Sequence, residues 1–486
     1  MNILRTLLFT CLLAVLICTL AWGPGQGPGW SVGTPQAEAF LGLGEFGIKD
    51  EKELGDKFNV LVRSRLPLIE DPEITGYVGD MIDRLKAAMP PQPFEITHGV
   101  INHSALNAFA APAGYIFVYS GLLLNMENES EVAGVMAHEL AHVSQRHIAR
   151  RIEAMGATSL LTLLGILAGV FIGGRQGQGL VVGSAAAQQA ALLSYSRDNE
   201  QEADQVGLGY LINAGYPPQG LHKAFEKLQK NQWLGGTGNA IPTYLSTHPG
   251  LSERIGYVSQ NIERLPANIR NRKDDNTRFR RIQTLTRARY TDPKVAITYF
   301  QRQESPEPCL DTLGRGIVFT RMNRFNDAEA AFLDGLRCSG DDPLFLREYG
   351  RLKFQQGDFQ AAASLFQRAL AKNRNDLMAH FFLGRIMGDT GRIEQAMESF
   401  KRILQQLPED PEVHEAYGRA LGQAGRYFDA HMHLAWAAFF LQNDKRTDFH
   451  AKKAEELARS PEQKRELERF KQKQKERKEL LRPSLF

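Results

Sequence analysis

The sequence predicts a mainly α protein in two parts: an N-terminal domain built around one long helix, and an all-α repeat solenoid behind it. Two observations carry this. Residues Glu131 to Arg150 (EVAGVMAHELAHVSQRHIAR) bring apolar side chains round at helical spacing, with Glu129 and Glu131 at the expected N-terminus. The C-terminal half repeats itself every 34 residues. A chain of 486 residues has room for two or three domains. With 43% hydrophobic and 23% charged residues it is neither generically disordered nor a polytopic membrane protein. A net charge of +3 gives no global pull towards nucleic acid, and none is expected as a partner.

In chain order, the first element is an export segment. One positive side chain in Met1 to Arg5 precedes an uncharged, mostly apolar stretch from Thr6 to Trp22, then a Gly/Pro-rich run and Ala37-Glu38-Ala39. This reads as a signal peptide and linker over residues 1–39, with an uncleaved anchor as the alternative. Val15-Leu16-Ile17 lack the small residue expected before a lipidated Cys18. Either way the bulk of the chain lies outside the cytoplasm, in the periplasm or at a membrane. Cys11 and Cys18 fall in the signal, which leaves Cys309 and Cys338: a disulfide in an oxidising compartment, or two buried thiols.

The chemistry concentrates in His138-Glu139-Leu140-Ala141-His142. Histidines four apart are only about 40° apart around a helix, so both rings can reach one ion. Glu139 can reach a water there without ligating the ion. Zinc, one per chain, is the expected cofactor, lowering the pKa of its water to about 7. A catalytic zinc needs a third protein ligand, and Ser196-Arg197-Asp198-Asn199-Glu200-Gln201-Glu202-Ala203-Asp204 offers one. Glu200 and Asp204, also four apart, suit a ligand and a carboxylate that holds the free N–H of a ligating histidine. Glu202 lies on another face. His147, five residues after His142, would be about 140° away on a continuing helix and is not expected as a ligand; a place at the surface or in support of a ligand is its expected role.

H-E-L-A-H followed by S-R-x-x-E-x-x-A-D resembles the gluzincin metallopeptidases of the HtpX and CAAX prenyl protease family. Asn107 to Gly114, Tyr115 to Tyr119 and Gly121-Leu122 are similar to that family's strand and turn before the zinc helix, and Ser246-Thr247-His248-Pro249 with Glu253-Arg254-Ile255 to its downstream element. The resemblance covers about residues 50 to 260 and implies an α+β fold. It implies that His138, His142 and Glu200 hold zinc, that Glu139 is the general base, and that Asp204 is a supporting or proton-donating carboxylate. His248 is then a fourth ligand that blocks the water position or an oxyanion stabiliser, with a loop-stabilising histidine beside Pro249 as the alternative. Arg254 is expected to pair with a carboxylate or with substrate. Asn107, Ala108, Phe109 and Ala110 either align a peptide by strand addition or form an ordinary core strand. The uncharged stretches Met155 to Gly174 and Gln176 to Ser196 are diluted by glycine and polar residues. They are expected to form a helical hairpin turning at Gly173 to Gly179, with possible peripheral membrane contact through 155–196; a true membrane span is the alternative.

Gly316, Gly350, Gly384 and Gly418 keep the period, as do Asn323, Gly357, Gly391 and Gly425; Ala328, Ala362, Ala396 and Ala430; and Phe332, Phe366, Phe400 and Leu434. This resembles the tetratricopeptide repeat, two antiparallel helices per copy. The first Gly and the Ala let paired helices approach, the Gly/Asn series ends the first helix in a left-handed residue, and the aromatic fills the interface between neighbours. Cys309 and Cys338 then fall at adjacent helix ends, which favours the disulfide. The expected division is a peptidase domain over 40–266, linker and lead-in helix over 267–308, four repeats over 309–444 and a charged capping helix over 445–486.

Signal, gluzincin domain and repeats in this order resemble the BepA-like periplasmic metalloproteases of Gram-negative bacteria. That resemblance implies a zinc endopeptidase acting on misfolded or misassembled envelope polypeptides, with repeats that dock on clients or on outer-membrane assembly machinery. The alternative is a chaperone or adaptor scaffold with a latent peptidase site.

Overall fold

A computed structural model describes residues 46–154, 160–172, 195–234, 244–302 and 305–481. The export segment expected over 1–39 and most of the hairpin expected over 155–196 lie outside them. No helix among the described residues is long and apolar enough to cross a membrane.

The N-terminal part opens with α1 (Ile48–Arg65), short β1 (Leu68–Ile69) and α2 (Pro72–Lys86). Pro72 at the first turn and the Asp71 side chain on the Glu73 and Ile74 N–H groups start α2. Three further strands follow, β2 (Thr97–Ile101), β3 (Ala108–Ala111) and β4 (Tyr115–Tyr119). They complete a sheet of order β1-β2-β4-β3, in which only β2 and β4 run parallel. Along β4 the side chains alternate. Ile116 and Val118 face the core under α2, while Phe117 and Tyr119 face a second core shared with α1.

After α3 (Ser120–Asn125) comes α4 (Glu129–Ser144), buried almost throughout, then α5 (His147–Ala154) and α6 (Leu160–Leu167). Leu163, Ile166 and Leu167 of α6, with Phe171 beyond it, pack into the second core beside Phe58 and Phe109. Next come α7 (Arg197–Asn213), α8 (Gln219–Leu234), one-turn α9 (Tyr244–Thr247), α10 (Leu251–Glu263) and one-turn α11 (Ala267–Arg270).

The segment expected as a linker does structural work. Asp274 and Asn276 cap α4: Ser130 N–H donates to Asp274 Oδ1 at 2.9 Å and Glu129 N–H to Asn276 Oδ1 at 2.8 Å. These are among the N–H groups a helix leaves unpaired at its start. The helix α12 (Thr277–Tyr290) then docks on α3, where the Gln283 amide donates to the Leu123 and Met126 carbonyls. One apolar core therefore continues from the sheet through α12 into the first repeats.

After α13 (Pro293–Phe300) come four helix pairs: α14 (Pro308–Arg321) with α15 (Phe325–Ser339), α16 (Pro343–Gln355) with α17 (Phe359–Lys372), α18 (Leu377–Asp389) with α19 (Ile393–Gln406), and α20 (Pro411–Gln423) with α21 (Tyr427–Phe440). The periodic residues explain the pairing. A Cβ on Gly316 would lie 2.6 Å from the Phe332 ring and one on Gly350 2.8 Å from the Phe366 ring, so only glycine admits the partner aromatic. The same aromatics reach onward, Phe332 stacking on Tyr349 and Phe366 on Phe382 of the next pair. Asn323, Gly357, Gly391 and Gly425, between the helices of each pair, all have positive φ. Cys309 and Cys338 are joined in a disulfide. Two helices rather than one follow the array, α22 (Asp444–Leu457) and α23 (Pro461–Leu481), broken at Ala458 to Ser460 before Pro461.

Charge ties the two halves together. Arg289 of α12 pairs with Asp71 and, at 2.6 Å, with Glu348; Arg347 pairs with Glu73 at 2.5 Å and Asp376 at 3.0 Å. Most of these side chains are buried.

Candidate metal centre

Three elements supply the site. α4 contributes His138, Glu139 and His142, α7 contributes Glu200 and Asp204, and the turn after α9 contributes His248. All six side chains are buried. The two helices meet at backbone level: a Cβ on Gly207 would lie 2.9 Å from the Ala137 carbonyl oxygen and 3.0 Å from His138 Cα. This approach brings Glu200 and Asp204 within reach of the histidines.

The Nε2 atoms of His138 and His142 stand 3.0 Å apart. Glu200 lies 3.4 Å from His138 Nε2 through Oε2 and 3.6 Å from His142 Nε2 through Oε1. His248 Nδ1 is 3.3 Å from His138 Nε2 and 3.0 Å from Glu200 Oε1. The four donor atoms all lie within 4.8 Å of one another, the one such cluster among the described residues. Nitrogen and oxygen ligands at tetrahedral corners about 2.0–2.1 Å from zinc would be about 3.3 Å apart. The donors already stand at that separation, and imidazole with carboxylate is a donor set that suits zinc. The residues therefore fit an ion.

Each neighbour has an electrostatic consequence. Asp204 Oδ1 holds His138 Nδ1 at 2.9 Å, which leaves Nε2 to face the cluster. Arg254 of α10 grips Asp204 with Nε at 2.8 Å and Nη2 at 2.7 Å, Tyr257 adds a hydroxyl, and Arg254 Nη1 also pairs with Glu200. Burial opposes the charge on Glu200, yet His248 and Arg254 hold its carboxyl well below the usual range. Burial likewise opposes Asp204, but His138 and Arg254 lower it. For Glu139, burial dominates and raises the carboxyl above its ordinary value. Burial, then His138, keeps the His142 ring well below its ordinary value and so neutral.

Glu139 points between two groups. Its Oε2 accepts from the Ala110 N–H of β3 at 3.0 Å, and its Oε1 faces His248 Nε2 at 3.4 Å. The segment Asn107 to Ala110 is thus a buried edge of the sheet, laid beside α4.

Two differences from the sequence reading stand out. The helix expected to run through Arg150 stops at Ser144, and Arg146 adopts a left-handed φ of 50°. His147 therefore starts a new helix and turns back, its Nδ1 2.7 Å from His142 Nδ1. It is no member of the donor cluster, but it touches a member. The rings that wall the site also escaped sequence reasoning: Tyr195 stacks on His142 at 3.8 Å between centroids and Tyr244 on His248 at 4.2 Å. Their only signal was position, just ahead of Ser196 and His248.

Residues 69–262 match peptidase family M48, and residues 353–420 match the tetratricopeptide repeat. This is a metallopeptidase with a repeat domain. The chain is similar to the putative beta-barrel assembly-enhancing protease of Vibrio cholerae, 27% identical over 351 residues that make up 70% of each chain. It is 34% identical to the beta-barrel assembly-enhancing protease of Escherichia coli K12 over 213 residues, spanning less than half of that relative's length at 43%. The mitochondrial metalloendopeptidase OMA1 of Arabidopsis thaliana is 36% identical over 164 residues, 33% of this chain and 30% of that one.

Proposed function

We propose that this M48 peptidase is a zinc endopeptidase of the bacterial periplasm that cleaves misfolded or stalled outer-membrane polypeptides. In this reading His138, His142 and Glu200 hold the ion, Glu139 is the general base, and the repeats bind clients or the outer-membrane assembly machinery. The observation that carries it is the set of buried donors at zinc-like separations directly beside Glu139. The relatives named for beta-barrel assembly support the envelope setting.

When bound, zinc supplies Lewis acidity towards a carbonyl and an acidified water. The chain's own residues do the rest. Glu139, raised by burial, is suited to take a proton and return it to a leaving amine. Asp204, clamped by Arg254, orients His138. An extended peptide added to the edge of β3 would have to displace Glu139 from the Ala110 N–H, which would bring its backbone beside that carboxylate.

His248 supports a site that is shut at rest. Its Nδ1 takes the fourth donor position, which a working catalytic zinc keeps open. Opening requires the turn after α9 to withdraw.

The test is metal analysis and hydrolysis of an unfolded protein by the wild-type chain and Glu139→Gln. Zinc near one equivalent in both, with hydrolysis falling at least about 10²-fold in the variant, is expected. Undiminished hydrolysis by Glu139→Gln sinks the mechanism.

A further inference from the structure

We propose that Glu202 and His147 form a relay that positions His142 for the metal, locking its tautomer and strengthening its donor nitrogen. The inference rests on the reading of the site as a metal centre.

An imidazole that offers Nε2 to an ion must carry its proton on Nδ1. The Nδ1 of His142 meets His147 Nδ1 at 2.7 Å. His147 must then accept there, and its own proton sits on Nε2. That nitrogen lies 3.0 Å from Glu202 Oε2, which also accepts from Arg150 Nη2 at 2.8 Å. Two neutral rings in series thus end on a carboxylate. The two ring ligands from α4 are backed differently: His138 leans on Asp204 directly, His142 on a carboxylate one imidazole away.

The chain breaks its own helix to build this. With φ at 50°, Arg146 redirects the backbone so that a residue five after His142 returns to the ring's outer edge. Glu51 of α1, itself buried, holds Arg146 in that turn at 2.9 Å. Tyr195 then fixes the plane of His142 by stacking on it at 3.8 Å. His147 is buried while Glu202 is 39% exposed, so the relay runs from the buried centre to the surface. His147 and Glu202 touch no reacting atom and act through His142, which makes them positioning residues.

The test measures zinc affinity of the full chain by competition with a chromogenic chelator. His147→Phe keeps the ring volume and removes the acceptor, and should weaken zinc binding about 10–100-fold. His147→Asn puts a carbonyl oxygen close to the lost Nδ1 and should recover most of that loss, which a role in packing alone would not allow. Glu202→Ala, at a half-exposed position that tolerates change, should cost several-fold. Nitrogen NMR of the zinc-loaded wild type should show His147 with its proton on Nε2. The relay is wrong if His147→Phe binds within twofold of wild type, if asparagine gives no recovery, or if Glu202→Ala changes nothing. Should His147→Phe not fold, the asparagine and Glu202 variants and the tautomer decide. A wild-type chain that retains no zinc, or a His138→Ala chain that binds it undiminished, overturns the metal reading itself and is a separate result.

Discussion

His248 Nε2 stands 3.4 Å from Glu139 Oε1 while the other nitrogen of the same ring lies against Glu200. One imidazole therefore belongs to the donor set and also covers the carboxylate proposed as the general base. Replacing His248 with Ala should raise hydrolysis of a fluorescently labelled unfolded protein several-fold, at little cost in zinc content. If activity instead falls by about 10²-fold, the ring serves the oxyanion and the site is not latched.

The cap on α4 gives a second prediction. Asp274 takes both the Ser130 N–H and, at 2.7 Å, the Ser130 hydroxyl. A carboxylate there also opposes the positive end of the helix dipole. Asp274→Ala should lower stability by about 1–2 kcal/mol, read as a fall in thermal midpoint, and by more than Asp275→Ala next to it, whose exposed carboxylate takes the Thr277 N–H at the start of α12. Equal effects from both would remove the cap from the account.

Asp274 also marks what was legible in the sequence. Chemistry that repeats within one helix was readable. His138 and His142, or Glu200 and Asp204, share a face by spacing alone, and the 34-residue register announced the array because each Gly must admit the large side chain of its own copy, an aromatic in three and Leu434 in the fourth. What depends on a departure from regular geometry was not readable. His147 was rightly set aside as a ligand, but on the premise that the helix continues, and one left-handed residue at Arg146 overturns that premise and turns the ring back onto His142. Long-range polar contacts were equally silent: nothing near Asp274 says that its partner is Ser130, 144 residues away, and the seam of Arg289 and Arg347 has no sequence signal.

That seam should make stability depend on acid. Burial opposes the charge on Glu348, but Arg289, Arg351 and Arg347 together push its carboxyl down to about 2. Asp71 is likewise lowered against burial, by Arg289 above all. A folded-state value below the unfolded one adds stability that is fully present above the unfolded pKa, near 4.5, and lost as pH falls from there towards 2. At 1.36 kcal/mol per unit, Glu348 contributes on the order of 3 kcal/mol at neutral pH. Thermal midpoints should therefore drop steeply below pH 5, and Glu348→Gln should start lower and fall less over that window. An identical slope in the variant would show that the acid sensitivity arises elsewhere.

Gly207 and Gly209 sit two residues apart on α7 and make a matched pair. A methyl group on Gly207 meets the Ala137 carbonyl at 2.9 Å and His138 Cα at 3.0 Å, both backbone atoms that cannot swing aside. One on Gly209 meets nothing within 4 Å. Alanine favours a helix interior over glycine by about 1 kcal/mol, so Gly209→Ala should be neutral or stabilising. Gly207→Ala must push α7 away from α4, at about 1–3 kcal/mol for overpacking. The displacement carries Glu200 and Asp204 with it, so zinc affinity should fall further than the thermal midpoint alone would suggest. Chelator competition and melting curves on the two variants separate the effects. If Gly207→Ala lowers the melting point but leaves zinc binding untouched, the close approach of these helices supports the fold and does not set the distance between the carboxylates and His138.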